Sequence, residues 1–325
     1  MRTGKSMKID DYLNHIDSAA ISGHVKPDGD CIGSVLALYN YITRNYPSVR
    51  TDLYLEEPGG KFDFLKGFDR IDHACEIEQN YDIMFCLDCS TKERLGKAQK
   101  YFKGAKKTVC LDHHVSNQGY ADENYIFGDL SSACEVLYHF LVKEKMDREI
   151  AACLYTGIIC DTGVFKYPAT SPDTMRIAAD LMEFGLDTNY IIDESFYSKN
   201  WNENRILGYA VQNSHLVFDG KVVYSVLSEK EMKAFSVTQK DLEGIVAQLR
   251  LTRGVKCAVF MYETGESCYK VSLRSEAPFD VNEVAGLFGG GGHVRAAGCS
   301  MEGEPGRILE QLLDEIGKRL EGRSD

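Results

Sequence analysis

The feature that most constrains the fold of this chain is a set of four short, almost continuously apolar segments in its first half. They are SAAISGH ending at His24, TDLYLEE starting at Thr51, YDIMFCLD ending at Asp88 and KTVCLDHH ending at His114. Strands that are buried on both faces of a parallel sheet show this pattern, because neither of their faces meets water. We therefore predict four parallel strands in this half of the chain.

Segments with helical periodicity lie between and after these strands. One runs from about Ile32 to Ile42, and SSACEVLYHFLVKEK starts another at Ser131. Two more are predicted in REIAACLYTGIIC and SPDTMRIAADLMEFG. Strands that alternate with helices are typical of a doubly wound α/β domain with a mainly parallel sheet.

The pattern changes after the polar stretch YSKNWNENR, and we predict a linker over residues 197–210. Beyond it, KVVYSVLS predicts a strand, TQKDLEGIVAQLR a helix, and VKCAVFMYETGESCYKVSLRS a hairpin. DVNEVAGLF predicts a further helix that leads into GGGGHVRAAG. The expected organisation is a catalytic α/β domain over 1–196, the linker, and a smaller α+β domain with a mixed sheet over 211–325.

Three of the four predicted strands end in side chains that bind metals well. The carboxyl ends of neighbouring parallel strands share one edge of a sheet, so residues distant in sequence should converge there. Asp161 follows an apolar helical segment, where removing a lone carboxylate from water would cost several kcal/mol. The candidate residues are His24, Asp28, Asp30, Asp88, Asp112, His113, His114 and Asp161.

This set of side chains predicts a metal site of a particular kind. Carboxylates mixed with imidazoles suit octahedral Mn²⁺ or Mg²⁺, with Co²⁺ or Zn²⁺ as alternatives. There are enough ligands for two ions that share a carboxylate, which is the arrangement used for phosphoester hydrolysis. A thiolate zinc or redox site at Cys86 and Cys89 is disfavoured, because no second C-x-x-C follows. Helix capping is the alternative role for Asp28, Asp30 and Asp161.

Four stretches in chain order resemble the motifs of the DHH phosphoesterase superfamily: HVKPDGD, CLDCSTKERLG, CLDHHVSN and GIICDTGVFKYPATSPDT. VSLRS and AGLFGGGGHVRAAG resemble the nucleotide-type DHH-associated C-terminal domain. The branch that looks most similar contains stand-alone nanoRNases and 3′-phosphoadenosine 5′-phosphate (pAp) phosphatases. The resemblance implies an active site in the cleft between the two domains.

Residue by residue, the resemblance implies two metal ions that share Asp88, and manganese is the first choice of metal. One ion would be held by His24, Asp28 and Asp88, and the other by Asp30, Asp88, His113 and Asp161. Asp112 would orient the histidines, and His114 would act on the substrate or the leaving group. Adjacent imidazoles cannot be told apart in a sequence, so the choice between His113 and His114 as ligand stays open.

The resemblance also implies residues that bind the substrate. One end of a short nucleotide would be anchored by Arg274, Gly290, Gly291, Gly292 and His293. Arg94 and Asn117 are candidates for phosphate contacts, and a plain surface role is the alternative for each. Arg295 is an equally open case.

We therefore predict a metal-dependent phosphoesterase that converts short oligonucleotides and linear dinucleotides to mononucleotides, or pAp to AMP. A pyrophosphatase-like phosphohydrolase and a non-catalytic nucleotide sensor are the alternatives. The net charge of −12 disfavours long nucleic acids, whose binding depends on phosphate neutralisation. No apolar run approaches the roughly 18 residues of a membrane span. Eleven cysteines without a disulfide-like spacing favour a reducing cytoplasm. The number of chains that assemble is not fixed by the sequence, and a homodimer is one open outcome.

Overall fold

The computed structural model describes residues 7–58 and 60–322, which divide into two compact units between Ser198 and Lys199. Each unit contains one six-stranded sheet, parallel in the first unit and mixed in the second. The predicted fold class, a mainly parallel α/β domain followed by an α+β domain with a mixed sheet, is confirmed.

The first unit contains six strands in the order β3-β2-β1-β4-β5-β6, and every neighbouring pair is parallel. The strands are β1 (Ser18–Ser22), β2 (Arg50–Tyr54), β3 (Ile71–Asp72), β4 (Ile83–Leu87), β5 (Thr108–Asp112) and β6 (Glu123–Ile126). The helices are α1 (Asp10–Leu13), α2 (Gly29–Asn45), α3 (Gln99–Gly104), α4 (Ala133–Phe140), α5 (Arg148–Asp161), α6 (Pro172–Met182) and α7 (Thr188–Ile192).

The central strands of this sheet are buried on both faces, which explains their continuous apolar sequence. Ile21 and Phe85 belong to the larger core, which also contains the apolar faces of α2 and α5. Ala20 and Met84, one position away in the same strands, belong to a second core on the opposite face. Because successive side chains point to opposite faces of a strand, both faces of this sheet are covered by protein.

In the first unit, two strands, β3 and β6, were not predicted from the sequence. β6 is an edge strand whose four residues are half-buried or exposed, so it has no apolar run. β3 is only two residues long. The predicted helix that starts near Ser131 is shorter than expected, because the backbone is extended at Leu141.

The second unit has the strand order β11-β12-β10-β9-β8-β7, in which β8 and β9 are parallel and the other pairs antiparallel. Its strands are β7 (His215–Val217), β8 (Val222–Leu227), β9 (Cys257–Gly265), β10 (Cys268–Ser275), β11 (Gly291–His293) and β12 (Ala296–Glu302). Its helices are α8 (Trp201–Gln212), α9 (Glu229–Ala234), α10 (Ile245–Arg250), α11 (Val281–Leu287) and α12 (Pro305–Glu321).

Two segments differ from their predicted structure in this unit. Most of the predicted linker is helical, because Asn200 caps α8 in a capping box and Ile206 and Ala210 pack into the core of the unit. The single helix predicted over TQKDLEGIVAQLR is divided into a 3₁₀ turn and α10, because Gly244 between them has a φ of 86°.

All eleven cysteines carry free thiols, and nine of the eleven are buried. Within residues 7–58 and 60–322, no helix has both the length and the apolar composition needed to cross a bilayer.

Candidate metal centre

Most segments that carry candidate metal ligands in the first unit lie at the carboxyl ends of β1, β4 and β5, while Asp161 is the last residue of α5. These strands are adjacent in the sheet, and the strand order reverses between β1 and β4. Open α/β sheets bind ligands at such a switch point. His24 lies two residues after β1, Asp88 directly follows β4, and Asp112 is the last residue of β5. The fold therefore brings these three segments to one edge, as predicted.

Asp28 combines the two roles that the sequence leaves open. Its Oδ1 caps α2 by accepting hydrogen bonds from the backbone N–H groups of Asp30 (3.2 Å) and Cys31 (3.1 Å). Its Oδ2 lies 3.6 Å from Nε2 of His24. Because capping and metal binding would use different oxygens, the two interpretations of this aspartate are compatible.

Asp88 connects two groups of candidate ligands. Its Oδ2 lies 3.3 Å from Nε2 of His24, and its Oδ1 lies 3.5 Å from Nε2 of His113 and 3.4 Å from Nδ1 of His114. The side chain is 2% exposed, and Oδ1 has no hydrogen-bond partner among the described residues. A buried carboxylate oxygen without a partner is costly, and a cation between these groups would satisfy it. The donor set therefore fits a divalent metal.

His113 faces the other predicted ligands. Its Nε2 lies 3.1 Å from Oδ2 of Asp161 and 3.8 Å from Oδ2 of Asp30, in addition to its approach to Asp88. His114 also approaches Asp88 through its Nδ1, but this atom lies closer to Oδ1 of Asp112, at 2.8 Å. Of the two adjacent histidines, His113 is the one that the structure groups with Asp30 and Asp161.

Asp112 is fully buried and organises the segment that carries both histidines. Its Oδ1 accepts hydrogen bonds from the backbone N–H of His113 (2.8 Å) and from the backbone (3.3 Å) and ring of His114. Its Oδ2 accepts one from the Asn117 amide (2.6 Å). Burial opposes ionisation of Asp112, but the hydrogen bonds from His114 and Asn117 outweigh it and lower the pKa of this carboxyl.

The structure places Asn117, a candidate for phosphate contacts, beside Asp112, and its contact with phosphate stays a prediction. Its side chain is buried, its N–H₂ group donates to Asp112 and its oxygen accepts from the backbone N–H of Gly119 (2.9 Å). Both ends of the amide are therefore engaged inside the protein. The structure directs Asn117 toward Asp112.

Asp30 is held by backbone groups that the sequence analysis did not identify. It is fully buried, and its oxygens accept hydrogen bonds from the N–H groups of Ala133 (2.6 Å) and Cys134 (2.9 Å) at the start of α4. A Cβ atom at Gly157 of α5 would lie 2.7 Å from Oδ1 of Asp30. The S-x-x-E pattern from Ser132 to Glu135 predicts the start of this helix. No signal in the sequence predicts that the helix start binds Asp30.

The charges of this centre shift several pKa values. Burial raises the pKa of Asp30 well above its usual value, and the charges of Asp88 and Asp161 add to this effect. Burial alone would lower the pKa of His24 and His113, but hydrogen bonds to carboxylates raise these values to about 10 and about 11. The crowded carboxylates therefore require positive charge nearby, either as protons on imidazoles or as metal ions.

One cysteine, Cys31, lies close to the candidate metal ligands. The Sγ of Cys31 lies within 4.8 Å of candidate ligand atoms of His24 and Asp88. Burial raises the pKa of this thiol well above its usual value, which disfavours the thiolate form that binds metals. Among residues 7–58 and 60–322, no group of three candidate ligands includes Cys86 or Cys89.

In the second unit, the structure aligns two of the predicted substrate-binding residues. Arg274 of β10 pairs with Ala296 of β12, and Ala296 pairs with His293 of β11. Directly paired residues share a face of the sheet, so Arg274 and His293 flank a small residue in one row. His293 is exposed.

Packing within the sheet explains two glycines of the glycine run. A Cβ at Gly290 would meet the carbonyl oxygen of Gly298 at 2.2 Å, and one at Gly292 would meet that of Ala296 at 2.5 Å. At Gly291 the nearest atom would be 3.7 Å away. Close approach of β12 therefore accounts for two of these glycines without a ligand.

Arg94 lies in the 3₁₀ segment after β4, beside the loop that carries the first motif. Its carbonyl oxygen accepts a hydrogen bond of 2.7 Å from the backbone N–H of Val25, which follows His24. The side chain is half-buried. A phosphate contact from Arg94 stays a prediction.

Comparison with known proteins relates both units to described families. The model of the DHH family N-terminal domain matches residues 18–158, and the DHHA1 domain model matches residues 219–322. The chain is 29% identical over 288 residues to the probable bifunctional oligoribonuclease and PAP phosphatase NrnA of Streptococcus mutans, covering 87% of this chain and 89% of that protein. It is 28% identical over 304 residues to the bifunctional oligoribonuclease and PAP phosphatase NrnA of Bacillus subtilis, covering 91% and 94%.

A solved structure with the same fold is the exopolyphosphatase-related protein from Bacteroides fragilis. It superimposes with a TM-score of 0.85 at 24% identity and covers 95% of this chain and 94% of its own. This likeness concerns the fold alone.

Proposed function

The chain belongs to the DHH family of phosphoester hydrolases, and from this premise we propose that it hydrolyses short oligonucleotides and linear dinucleotides to mononucleotides and pAp to AMP. The observation that carries the proposal is the convergence of His24, His113 and their carboxylate partners on the two oxygens of Asp88, of which Oδ1 has no hydrogen-bond partner among the described residues. The activities for which the relatives in Streptococcus mutans and Bacillus subtilis are named support the choice of substrates.

Two divalent ions complete the proposed site, and manganese is the metal that we expect. His24, Asp28 and Asp88 would hold one ion, and Asp30, Asp88, His113 and Asp161 the other. When bound, such ions lower the pKa of a water molecule and neutralise charge on phosphoryl oxygens. Among the described residues, three groups of candidate ligands lie close together: Asp30 with His113 and Asp161, His24 with Cys31 and Asp88, and Asp88 with His113 and His114. The first two groups support this assignment, and the third supports Asp88 as the shared residue.

His114 is the proposed proton donor to the leaving group. Its Nδ1 is fixed by Asp112 at 2.8 Å, so Nε2 is the ring atom left for a substrate. A water oxygen forms a bond to phosphorus and releases one proton to solvent, the ester P–O bond breaks, and the leaving oxygen takes the proton from Nε2. The ring of His114 then regains a proton from solvent. The hydrogen bond that the His114 ring donates to Asp112 raises the pKa of His114, which keeps that proton available near neutral pH.

Arg274 and His293 are the proposed anchors for a second part of the substrate. A guanidinium binds a terminal phosphate through two parallel hydrogen bonds, and an anchor for a terminal phosphate favours short nucleotides. The net charge of −12 agrees with that preference. A cytoplasmic location, which the eleven free thiols favour, belongs to the same proposal.

One panel of substrates tests the proposed function. The protein is incubated with Mn²⁺ and pAp, a linear diadenylate, a five-nucleotide RNA, a cyclic dinucleotide or pyrophosphate, and kcat/KM is compared. We expect turnover of pAp and of the short linear nucleotides. Fastest turnover of pyrophosphate would instead indicate a pyrophosphatase, and tight nucleotide binding without turnover would indicate a sensor.

A further inference from the structure

Glu135, in the first turn of α4, is fully buried and takes no part in the chemistry proposed above. Its Oε2 accepts hydrogen bonds from the backbone N–H of Ser131 (3.1 Å), from the Ser131 hydroxyl and from the Thr174 hydroxyl (2.8 Å). Its Oε1 has no hydrogen-bond partner among the described residues. Burying a carboxylate in this way is unfavourable, so a structural or functional gain must offset it.

The contacts of Glu135 fix the start of the helix that holds Asp30. Ser131 directly precedes Ser132, whose hydroxyl caps α4 by accepting the backbone N–H of Glu135 (3.0 Å). The next two residues, Ala133 and Cys134, donate the N–H groups that hold both oxygens of Asp30. Movement of this segment would therefore displace the Asp30 carboxylate directly.

Thr174 connects Glu135 to a second helix. It is the third residue of α6 and forms a capping box with Ser171, in which each side chain accepts the backbone N–H of the other. Thr174 is fully buried. Oε2 of Glu135 thus accepts hydrogen bonds from Ser131, which precedes the N-cap residue of α4, and from Thr174 in the first turn of α6.

We propose that Glu135 is a positioning residue for the metal centre. By joining the start of α4 to α6, it places the N–H groups of Ala133 and Cys134 so that Asp30 faces His113. The inference rests on the proposed function, since it assumes that Asp30 and His113 bind the same ion. Residues that hold metal ligands in place commonly change metal affinity by about 10- to 100-fold when they are replaced.

The test measures Mn²⁺ binding without substrate, by electron paramagnetic resonance of the unbound ion. We expect Glu135→Ala to weaken one of two Mn²⁺ sites by about tenfold or more and to leave the other unchanged. Glu135→Gln keeps an acceptor for Ser131 and Thr174, so both of its sites should stay close to those of the unmodified chain. Loss of one site with rescue by the conservative variant is not expected from general destabilisation.

Glu231→Ala is the matched control. Glu231 accepts hydrogen bonds from the backbone N–H and the hydroxyl of Ser228 (both 2.7 Å) at the start of α9, which carries no candidate ligand. It should lower the thermal stability and leave Mn²⁺ binding intact. If Glu135→Ala does not fold, Thr174→Val replaces it, with Thr174→Ser as the variant that retains the hydroxyl.

The outcomes separate this inference from the proposed function. If the unmodified chain does not bind two ions, the proposed metal centre is wrong, and the role of Glu135 is overturned with it. If the unmodified chain binds two ions and Glu135→Ala binds them equally well, only the positioning role is overturned. If Thr174→Val and Thr174→Ser bind alike, the link through α6 is overturned.

Discussion

The carboxylate of Asp88 approaches His24 to 3.3 Å with one oxygen, while its other oxygen is buried and has no hydrogen-bond partner within residues 7–58 and 60–322. That second oxygen lies 3.5 Å from Nε2 of His113. One side chain therefore lies between two groups of candidate ligands that come from different strands. Substitutions at and around it should separate binding of metal from the chemical step.

Replacing Asp88 should remove metal. Asp88→Asn keeps the shape of the side chain but removes its charge, so we expect loss of at least one of two bound Mn²⁺ ions and of all detectable turnover. Isothermal titration with Mn²⁺ measures the stoichiometry. Asp69→Asn, at a side chain that is 78% exposed, is the control and should bind as the unmodified chain does. Two intact sites in Asp88→Asn would contradict a shared ligand.

Replacing His114 should slow the chemistry and spare the metal. His114→Asn keeps a donor near Oδ1 of Asp112 and removes Nε2, the proposed proton source. We expect kcat to fall by about 10²- to 10⁴-fold, as is typical when a general acid is lost. Mn²⁺ stoichiometry should not change, in contrast to His113→Asn. A metal-free His114→Asn protein would instead make His114 a ligand.

Asn117 should stabilise the protein through Asp112. Asn117→Ala leaves Oδ2 of this buried carboxylate without its 2.6 Å partner, at a cost of about 1–3 kcal/mol. Since hydrogen bonding lowers the pKa of Asp112, its ionised form contributes stability above the pKa of an unfolded carboxyl, and this contribution is lost as pH falls through the folded value. In Asn117→Ala the folded pKa of Asp112 should rise, so this contribution should be smaller and its loss should be complete at a higher pH.

Thermal unfolding of the metal-free protein at several acidic pH values measures this difference. Asn213→Ala removes an amide that donates to an exposed helical carbonyl (2.9 Å) and serves as the control. An unchanged acid profile in Asn117→Ala would show that the amide does not support the ionised form of Asp112.

Binding of metal should release protons. In the metal-free protein the pKa values of His24 and His113 are about 10 and about 11, so both rings are protonated near pH 8. A metal ion binds only the neutral imidazole. Affinity for Mn²⁺ should therefore rise with pH below these values, by up to about one log unit per pH unit for each ring.

Calorimetry in buffers of different ionisation enthalpy measures the protons released on each binding event. His114→Asn should release as many as the unmodified chain does. Binding without proton release would mean that neither His24 nor His113 loses its proton when the metal binds.

Arg274 should affect binding of substrate more than turnover. Arg274→Ala is expected to raise KM for pAp by about tenfold or more with little change in kcat, since it removes a charge-assisted contact to a phosphate. Arg274→Lys should not restore KM, because an ammonium cannot form two parallel hydrogen bonds. Lys270→Ala, four residues earlier in β10, is the control. If Arg274→Ala, Arg274→Lys and Lys270→Ala had the same KM for pAp, Arg274 would not bind the substrate.

The sequence was sufficient to predict the strand ends that carry His24, Asp88 and Asp112. Strands buried on both faces are apolar throughout, and ligand-type residues at their ends stand out against that background. β6 could not be predicted in this way, because an edge strand with exposed side chains has no apolar run. The break at Gly244 was hidden by an otherwise continuous helical pattern.

The surroundings of Asp30 could not be predicted. Its partners are backbone N–H groups more than 100 positions away, which every non-proline residue has, so they leave no mark in the sequence. Asn117 shows a related difficulty, since an amide beside a catalytic motif can bind a ligand or a neighbouring carboxylate. Its burial and its distance from Asp112 are known only from the structure.

Gly157 has a consequence for genetic studies of this protein. It offers no functional group, yet a methyl group there would overlap Cys134 Sγ at 2.2 Å and crowd Asp30. A saturation mutagenesis screen scored by activity should therefore rank position 157 among the most intolerant, beside residues that carry the reactive groups. The map of essential positions from such a screen would trace where helices touch as well as where the reaction takes place.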